Sequence, residues 1–257
     1  MAALIAEGLS LVFPLSRSGT PPEEGSETQR LVRDARGRAV GVSALTDISF
    51  ALESGDRLGV IGRNGSGKTT LLQVLAEILP PTAGRLEIEG RVTSLLNINL
   101  GTQAEATGAH NITLRGLAAG WTRDAIEARR ADIVAFADLG EFIDLPLTAY
   151  SAGMRMRLNF AIATAFAPDI LLLDEWLSAG DAAFAEAAAE RMDDFVGQAG
   201  IMVLASHNRR LLRRTCNKVL WLDRGHARAY GAPGPVIKAY KEELLPASAP
   251  AGGPADE

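Results

Sequence analysis

The chain of 257 residues is 47% hydrophobic and 22% charged, enough for one large α/β domain with a buried core and too apolar for a disordered protein. Its formal net charge of -5 argues against a general nucleic-acid binder, which shows a basic face or stripe. The single cysteine, Cys216, excludes an internal disulfide and a CxxC metal cluster, and fits a reducing compartment.

The N-terminal "MAALIAEGLSLVFPL" lacks a basic flank and carries Glu7, so it reads as a strand rather than a signal peptide. Residues 14–43 mix Pro, Gly and charge and read as a variable excursion loop, with a partly extended course left open. Alternation resumes at Leu45, Ile48, Phe50 and Leu52, and the buried strand "RLGVI" follows the turn at Glu53 to Asp56. After "GRNGSGKTT", the spacing of Leu71, Leu72, Leu75, Ile78 and Leu79 predicts a helix, stopped by "PPTAG". "RLEIEGRV" alternates as a strand, and residues from about 105 to 166 are helical in character. The last third alternates apolar runs, "DILLL", "GIMVLAS" and "KVLWL", with helices from Asp181 to about Gln198 and from Asn208 to Arg214. Strands alternating with helices predict a parallel sheet covered on both faces. The domain is expected over 1–245, and "LPASAPAGGPADE" has nothing to bury, so 246–257 are expected to form a disordered tail. No run reaches the roughly 20 uninterrupted apolar residues of a membrane helix, so no direct membrane span is expected.

Gly62 to Thr69 matches GxxxxGK followed by Ser or Thr, between a strand and a helix, where that motif cradles phosphates. Gly62, Arg63, Asn64, Gly65, Ser66 and Gly67 would turn backbone N–H groups around phosphate oxygens, with the dipole of the following helix behind them. Lys68 would reach the β- and γ-phosphates, Thr69 would coordinate Mg²⁺, and Thr70 completes the run. "ILLLDE" supplies the carboxylates such a site needs at the end of a buried strand. Asp174 would hold the metal's water shell and Glu175 would orient or deprotonate the attacking water. ATP and Mg²⁺ are the expected ligands.

Two classes of phosphate-loop protein stay open until "YSAGMRMRL", which resembles the ABC ATPase signature LSGGQ. Ser151 and Gly153 match; Tyr150 replaces Leu, Ala152 the first Gly and Met154 the Gln. A Ser-Ala-Gly run is also an ordinary helix cap. With "LLNINLGTQAEATGAHNI", "DEWLSAGDAAF" and "VLASHN", the chain resembles, from about Leu9 to Tyr240, the ATPase subunits of bacterial ABC-2-type exporters of O-antigen, capsular polysaccharide or teichoic acid. The fold this implies is a RecA-like ABC nucleotide-binding domain with an antiparallel β layer and a helical subdomain at about 105–166. The resemblance further implies that Ser151 to Met154 face the γ-phosphate of a second copy, that Asp181 belongs to a D-loop and that His207 is the switch histidine. It makes Phe13 an adenine-stacking residue, although a core phenylalanine would look the same, and Asn97 a metal ligand where the family has glutamine.

The partners so implied are a second copy, as a homodimer, and two ABC-2-type membrane permeases docked near residues 97–111. The location implied is the cytoplasmic face of the inner membrane, held there through the permease. An exporter of drugs or lipids is the alternative, and a soluble ABC protein acting on DNA or ribosomes is disfavoured by the acidic balance. "NRRLLRRTCNK" reads as a solvated helix face, with contact to a membrane subunit or anionic headgroups as the other reading. Arg157 reads as an ion-pair partner.

Overall fold

The computed structural model describes residues 2–15, 30–96, 101–174 and 182–244. Among these the strands form two sheets. The first is antiparallel, ordered β2-β3-β1-β5, from β1 (Ala3–Pro14), β2 (Leu31–Arg33), β3 (Ala39–Glu53) and β5 (Ala83–Glu89). The second is ordered β10-β9-β4-β8-β7-β6, from β4 (Arg57–Ile61), β6 (Val92–Ser94), β7 (Ile170–Asp174), β8 (Ile201–Ala205), β9 (Lys218–Asp223) and β10 (His226–Gly231). All its pairings are parallel except that of β10 with β9.

The apolar runs of β4, β7 and β8 have no polar face because both sides are covered. Leu58, Val60, Leu172 and Val203 pack with Leu71, Leu72 and Leu75 of α1 (Lys68–Leu75) and with Leu9 and Ile48 of the antiparallel sheet. The alternate residues Ile61, Leu171, Leu173 and Leu204 meet Phe195 of α5 (Ala182–Gln198), Leu212 of α6 (Arg209–Thr215) and Tyr240 of α7 (Pro233–Leu244). A third cluster binds α2 (Gly108–Ala118), α3 (Arg123–Ala137) and α4 (Ala152–Ala163) through Ile112, Ile126, Ile133 and Leu158. This is the helical part expected at about 105–166.

The excursion loop expected over 14–43 needs correction at its second half. Residues 31–33 and 39–43 are strand, with Leu31 opposite Val42 and Val42 opposite Phe13 across β3. The charges that disguised this hairpin close its turn: Asp34 accepts hydrogen bonds from the Arg36 and Arg38 amides at 2.9 and 3.0 Å and pairs with the Arg38 guanidinium at 2.8 Å. The N-terminal strand of the sequence reading is β1, running from Ala3 to Pro14. Helix α7 had no counterpart in that reading, because its "PGP" start resembles a turn. The expected tail, 246–257, lies outside the described residues.

Candidate functional site

The carboxyl ends of adjacent parallel strands are where open α/β sheets place ligands. Here β4 runs into the glycine-rich loop, β7 ends at Asp174, and β8 ends two residues before His207. Glycine is required at Gly62, where a Cβ would stand 2.3 Å from the Leu222 carbonyl oxygen, and at Gly67, whose φ of 107° begins α1 in the left-handed region. Among the described residues no side chain caps that helix end. Its first-turn amides and dipole therefore face the loop, as an anion site requires.

Lys68 is only 8% exposed and spans the loop, its Nζ donating to the carbonyl oxygens of Gly62 at 2.9 Å and Arg63 at 3.2 Å. The Thr69 hydroxyl donates to Asp174 Oδ2 at 2.6 Å, so α1 and β7 present a hydroxyl and a carboxylate side by side. That donor pair suits Mg²⁺, which takes one or two protein oxygens and completes its octahedron with water and phosphate. Among the described residues no cluster of three or more His, Cys, Asp or Glu could hold a metal alone.

These groups line one cavity of about 610 Å³, together with Asn64, Gly65, Ser66, Gly67, Thr70 and His207. Its other wall comes from the antiparallel sheet: Phe13, Val42, Ala44 and, from the residue preceding β2, Arg30. Phe13 is 40% exposed and lines the cavity, so it is a cavity wall rather than a core filler. Arg63 lies instead on a neighbouring cavity of about 580 Å³ that shares Arg30 and Asn64 to Ser66 with the first.

Ser151 to Met154 are not on this cavity. Ser151 caps α4, its hydroxyl accepting from the Met154 amide at 3.2 Å, and the exposed turn is braced from below. The buried Tyr150 donates to the Phe142 carbonyl at 2.6 Å, and Arg155 donates to the Tyr150 carbonyl at 2.7 Å. Further along, Arg115 of α2 donates to Asn159 Oδ1 at 2.9 Å, and burial lowers the Arg115 pKa to about 10. Arg157 lies 3.7 Å from Asp138, as an ion-pair partner would. Asn97, Glu175 and Asp181 lie outside the described residues. Arg30, Val42 and Ala44 were missed by sequence reasoning; the weak alternation of "AVGVS" was the available signal for the latter two.

A family model described as ABC transporter matches residues 45–178. The chain is 42% identical over 208 residues to the O-antigen export system ATP-binding protein RfbB of Myxococcus xanthus, covering 81% of this chain and 48% of that one. It is 38% identical over 229 residues to RfbE of the Yersinia enterocolitica O-antigen export system, covering 88% and 96%. It is 41% identical over 201 residues to the teichoic acids export ATP-binding protein TagH of Shouchella clausii, covering 78% and 56%. The chain thus spans about half of the Myxococcus and Shouchella proteins and nearly all of the Yersinia one. Among solved structures, an ATP binding subunit of an ABC transporter superposes with a TM-score of 0.65 at 20% identity, covering 94% of this chain and 95% of that one. A dimeric ATP-binding cassette in a post-hydrolysis state with ADP and Pi gives 0.63 at 17%, covering 90% and 98%. These two likenesses bear out the α/β nucleotide-binding fold.

Proposed function

This chain belongs to the ABC transporter family, and on that premise we propose that it is the ATP-binding and hydrolysing subunit of an exporter for a lipid-linked polysaccharide. The observation that carries the ATPase reading is the cavity that joins Lys68, the Thr69–Asp174 pair and His207 at the carboxyl ends of β4, β7 and β8. The glycan reading rests on the relatives, whose names specify O-antigen and teichoic acid export. No observation favours the drug or lipid alternative.

In this reading the loop 62–67 wraps the phosphates with its amides, and Lys68 neutralises the β- and γ-phosphoryl oxygens. Phe13 stacks on the base. Thr69 and Asp174 would hold Mg²⁺, with Asn97 as the third proposed ligand, and the ion would supply charge neutralisation to the phosphates. Glu175 takes a proton from the attacking water as its oxygen bonds to the γ-phosphorus and the bond to the β-phosphate oxygen breaks, leaving ADP and phosphate. His207 contacts the γ-phosphate. Ser151 to Met154 of a second copy cover the same phosphate, with Asp181 at the seam. ATP closes the pair because its γ-phosphate touches both copies and thereby binds the closed state better. Closure acts on two permease subunits through the surface near residues 97–111, at the cytoplasmic face of the inner membrane. Among the described residues no helix is long and apolar enough to cross a membrane, so in this reading the permeases form the path.

The test replaces the native copy with Glu175→Gln and assays surface polysaccharide beside lipid-linked glycan inside the cell. Loss outside with accumulation inside is expected. Unchanged glycan in both places, with the variant expressed and its ATP turnover lost, refutes glycan export.

A further inference from the structure

Arg30 precedes β2 and lines both cavities beside the phosphate loop, in company with Asn64, Gly65 and Ser66 each time. Its Nε and Nη2 are buried and have no hydrogen-bond partner among the described residues. Leaving charged donors out of water without an acceptor is expensive, and native proteins keep few such groups without a use for them. Ser66 Oγ, on the loop that Arg30 adjoins, is orphaned in the same way. Of the described acids that line these cavities with Arg30, Asp174 accepts from Thr69 at 2.6 Å, Glu243 pairs with Arg228 at 3.6 Å, and Asp223 is hydrogen-bonded to neither orphaned nitrogen. A guanidinium offers donors only, in a fork that matches phosphate oxygens.

Resting on the nucleotide-site reading above, we propose that Arg30 is a nucleotide-binding residue whose guanidinium donates to the phosphate chain from the β2 edge of the cavity. Phosphate is the better acceptor than the base. Arg30 shares its surroundings with the phosphate loop in both cavities, whereas a base edge mixes donors with acceptors. Binding then ties an edge strand to the loop. Among the described residues β2 pairs only with β3 and stands at the end of its sheet, so the nucleotide adds a second anchor to it.

The test measures binding of Mg-ATP, Mg-ADP and adenosine to the purified full chain by calorimetry, for wild type, Arg30→Met, Arg30→Lys and the exposed control Arg36→Met. Losing a charge-assisted hydrogen bond weakens ATP binding by about ten- to hundredfold. The expected order is wild type and Arg36→Met together, Arg30→Lys intermediate and Arg30→Met weakest, with adenosine unaffected. Amide hydrogen exchange at 31–33 is expected to slow on adding ATP in wild type and not in Arg30→Met. Equal ATP binding by Arg30→Met and wild type overturns the proposal, as does an equal loss for adenosine, which would assign the contact to the nucleoside. Wild type that binds no Mg-ATP would instead refute the nucleotide site itself. Melting without ligand establishes that each variant is folded; should Arg30→Met not fold, Arg30→Gln carries the same comparison.

Discussion

Asn111 is fully buried at the start of α2, and its side chain accepts from the Gln103 amide at 2.8 Å. Its Nδ2 donates to the carbonyls of Gln103, Ala106 and Thr107 at 3.0, 3.2 and 3.0 Å. One amide therefore closes the whole loop 103–107. That loop is in turn bonded to the segment ahead of Ser151, through Leu147 N to Ala106 O and Thr148 N to Ala104 O, both at 3.1 Å. Asn111→Ala removes two to three net hydrogen bonds at about 1 kcal/mol each and strands their backbone partners, a loss of about 2–4 kcal/mol. For a chain of this size that lowers Tm by roughly 5–12 °C. Scanning calorimetry measures the shift, and hydrogen exchange should show the Gln103 amide protected in wild type and fast in the variant. ATP affinity should not change, since Asn111 is not on the cavity. Asn111→Asp keeps the acceptor but turns a carboxylate toward three carbonyls, which raises its pKa. The variant should then be worst at high pH and recover as pH falls through that raised value, where the protonated acid can donate. A Tm within about 1 °C of wild type for Asn111→Ala, or an unprotected Gln103 amide in wild type, would refute the clamp.

Thr69→Val removes the hydroxyl bonded to Asp174 and should abolish the Mg²⁺ dependence of ATP binding, with turnover falling more than about tenfold; unchanged Mg²⁺ titration curves would contradict the assigned role. Ser151→Ala removes the α4 cap, costing about 1 kcal/mol, while in a Glu175→Gln background it should abolish ATP-dependent dimers in sedimentation; persistent dimers would separate Ser151 from the partner's nucleotide. Cys216 is buried, and burial pushes its thiol up to about 12, so at pH 8 a thiol reagent should react only after unfolding in urea. Rapid reaction of the native chain would contradict that burial. Gly225→Ala places a Cβ 2.5 Å from the Ala44 carbonyl at a φ of +84° and should lower both Tm and ATP affinity; a loss of Tm alone would show that the turn only stabilises the fold.

The parallel strands were legible because both faces of each are covered, so "ILLL" and "IMVLA" carry no polar residue to confuse their reading. The loop wall of the cavity was legible for a related reason. A strand end delivers its candidate site residue within a step or two of the apolar run, as Asp174 closes β7 and His207 comes two residues after β8. The antiparallel wall has no such local mark. Phe13, Val42 and Leu31 lie in one row only through a register set by two strand pairings. Gly41 and the charges around the Asp34 turn obscured the alternation on which that row depends. Arg30 was invisible for the same reason, since nothing in its neighbours says that the chain returns to the phosphate loop.

What holds the two walls at a working distance is a turn that neither wall contains. Between β9 and β10, Arg224 and Gly225 both have positive φ, 48° and 84°, the geometry that closes a tight antiparallel hairpin. The Gly225 amide donates to the Ser66 carbonyl at 2.9 Å and its carbonyl accepts from the Thr46 amide at 2.8 Å. One residue thus bonds the phosphate loop through its N–H and β3 through its carbonyl. The apolar cluster beneath sets the separation of the sheets only to the tolerance of side-chain packing, whereas hydrogen bonds to both walls fix their relative height directionally. A nucleotide that stacks on Phe13 and reaches Lys68 needs that height constant. The glycine is therefore as much a part of the site's geometry as the residues that touch the ligand.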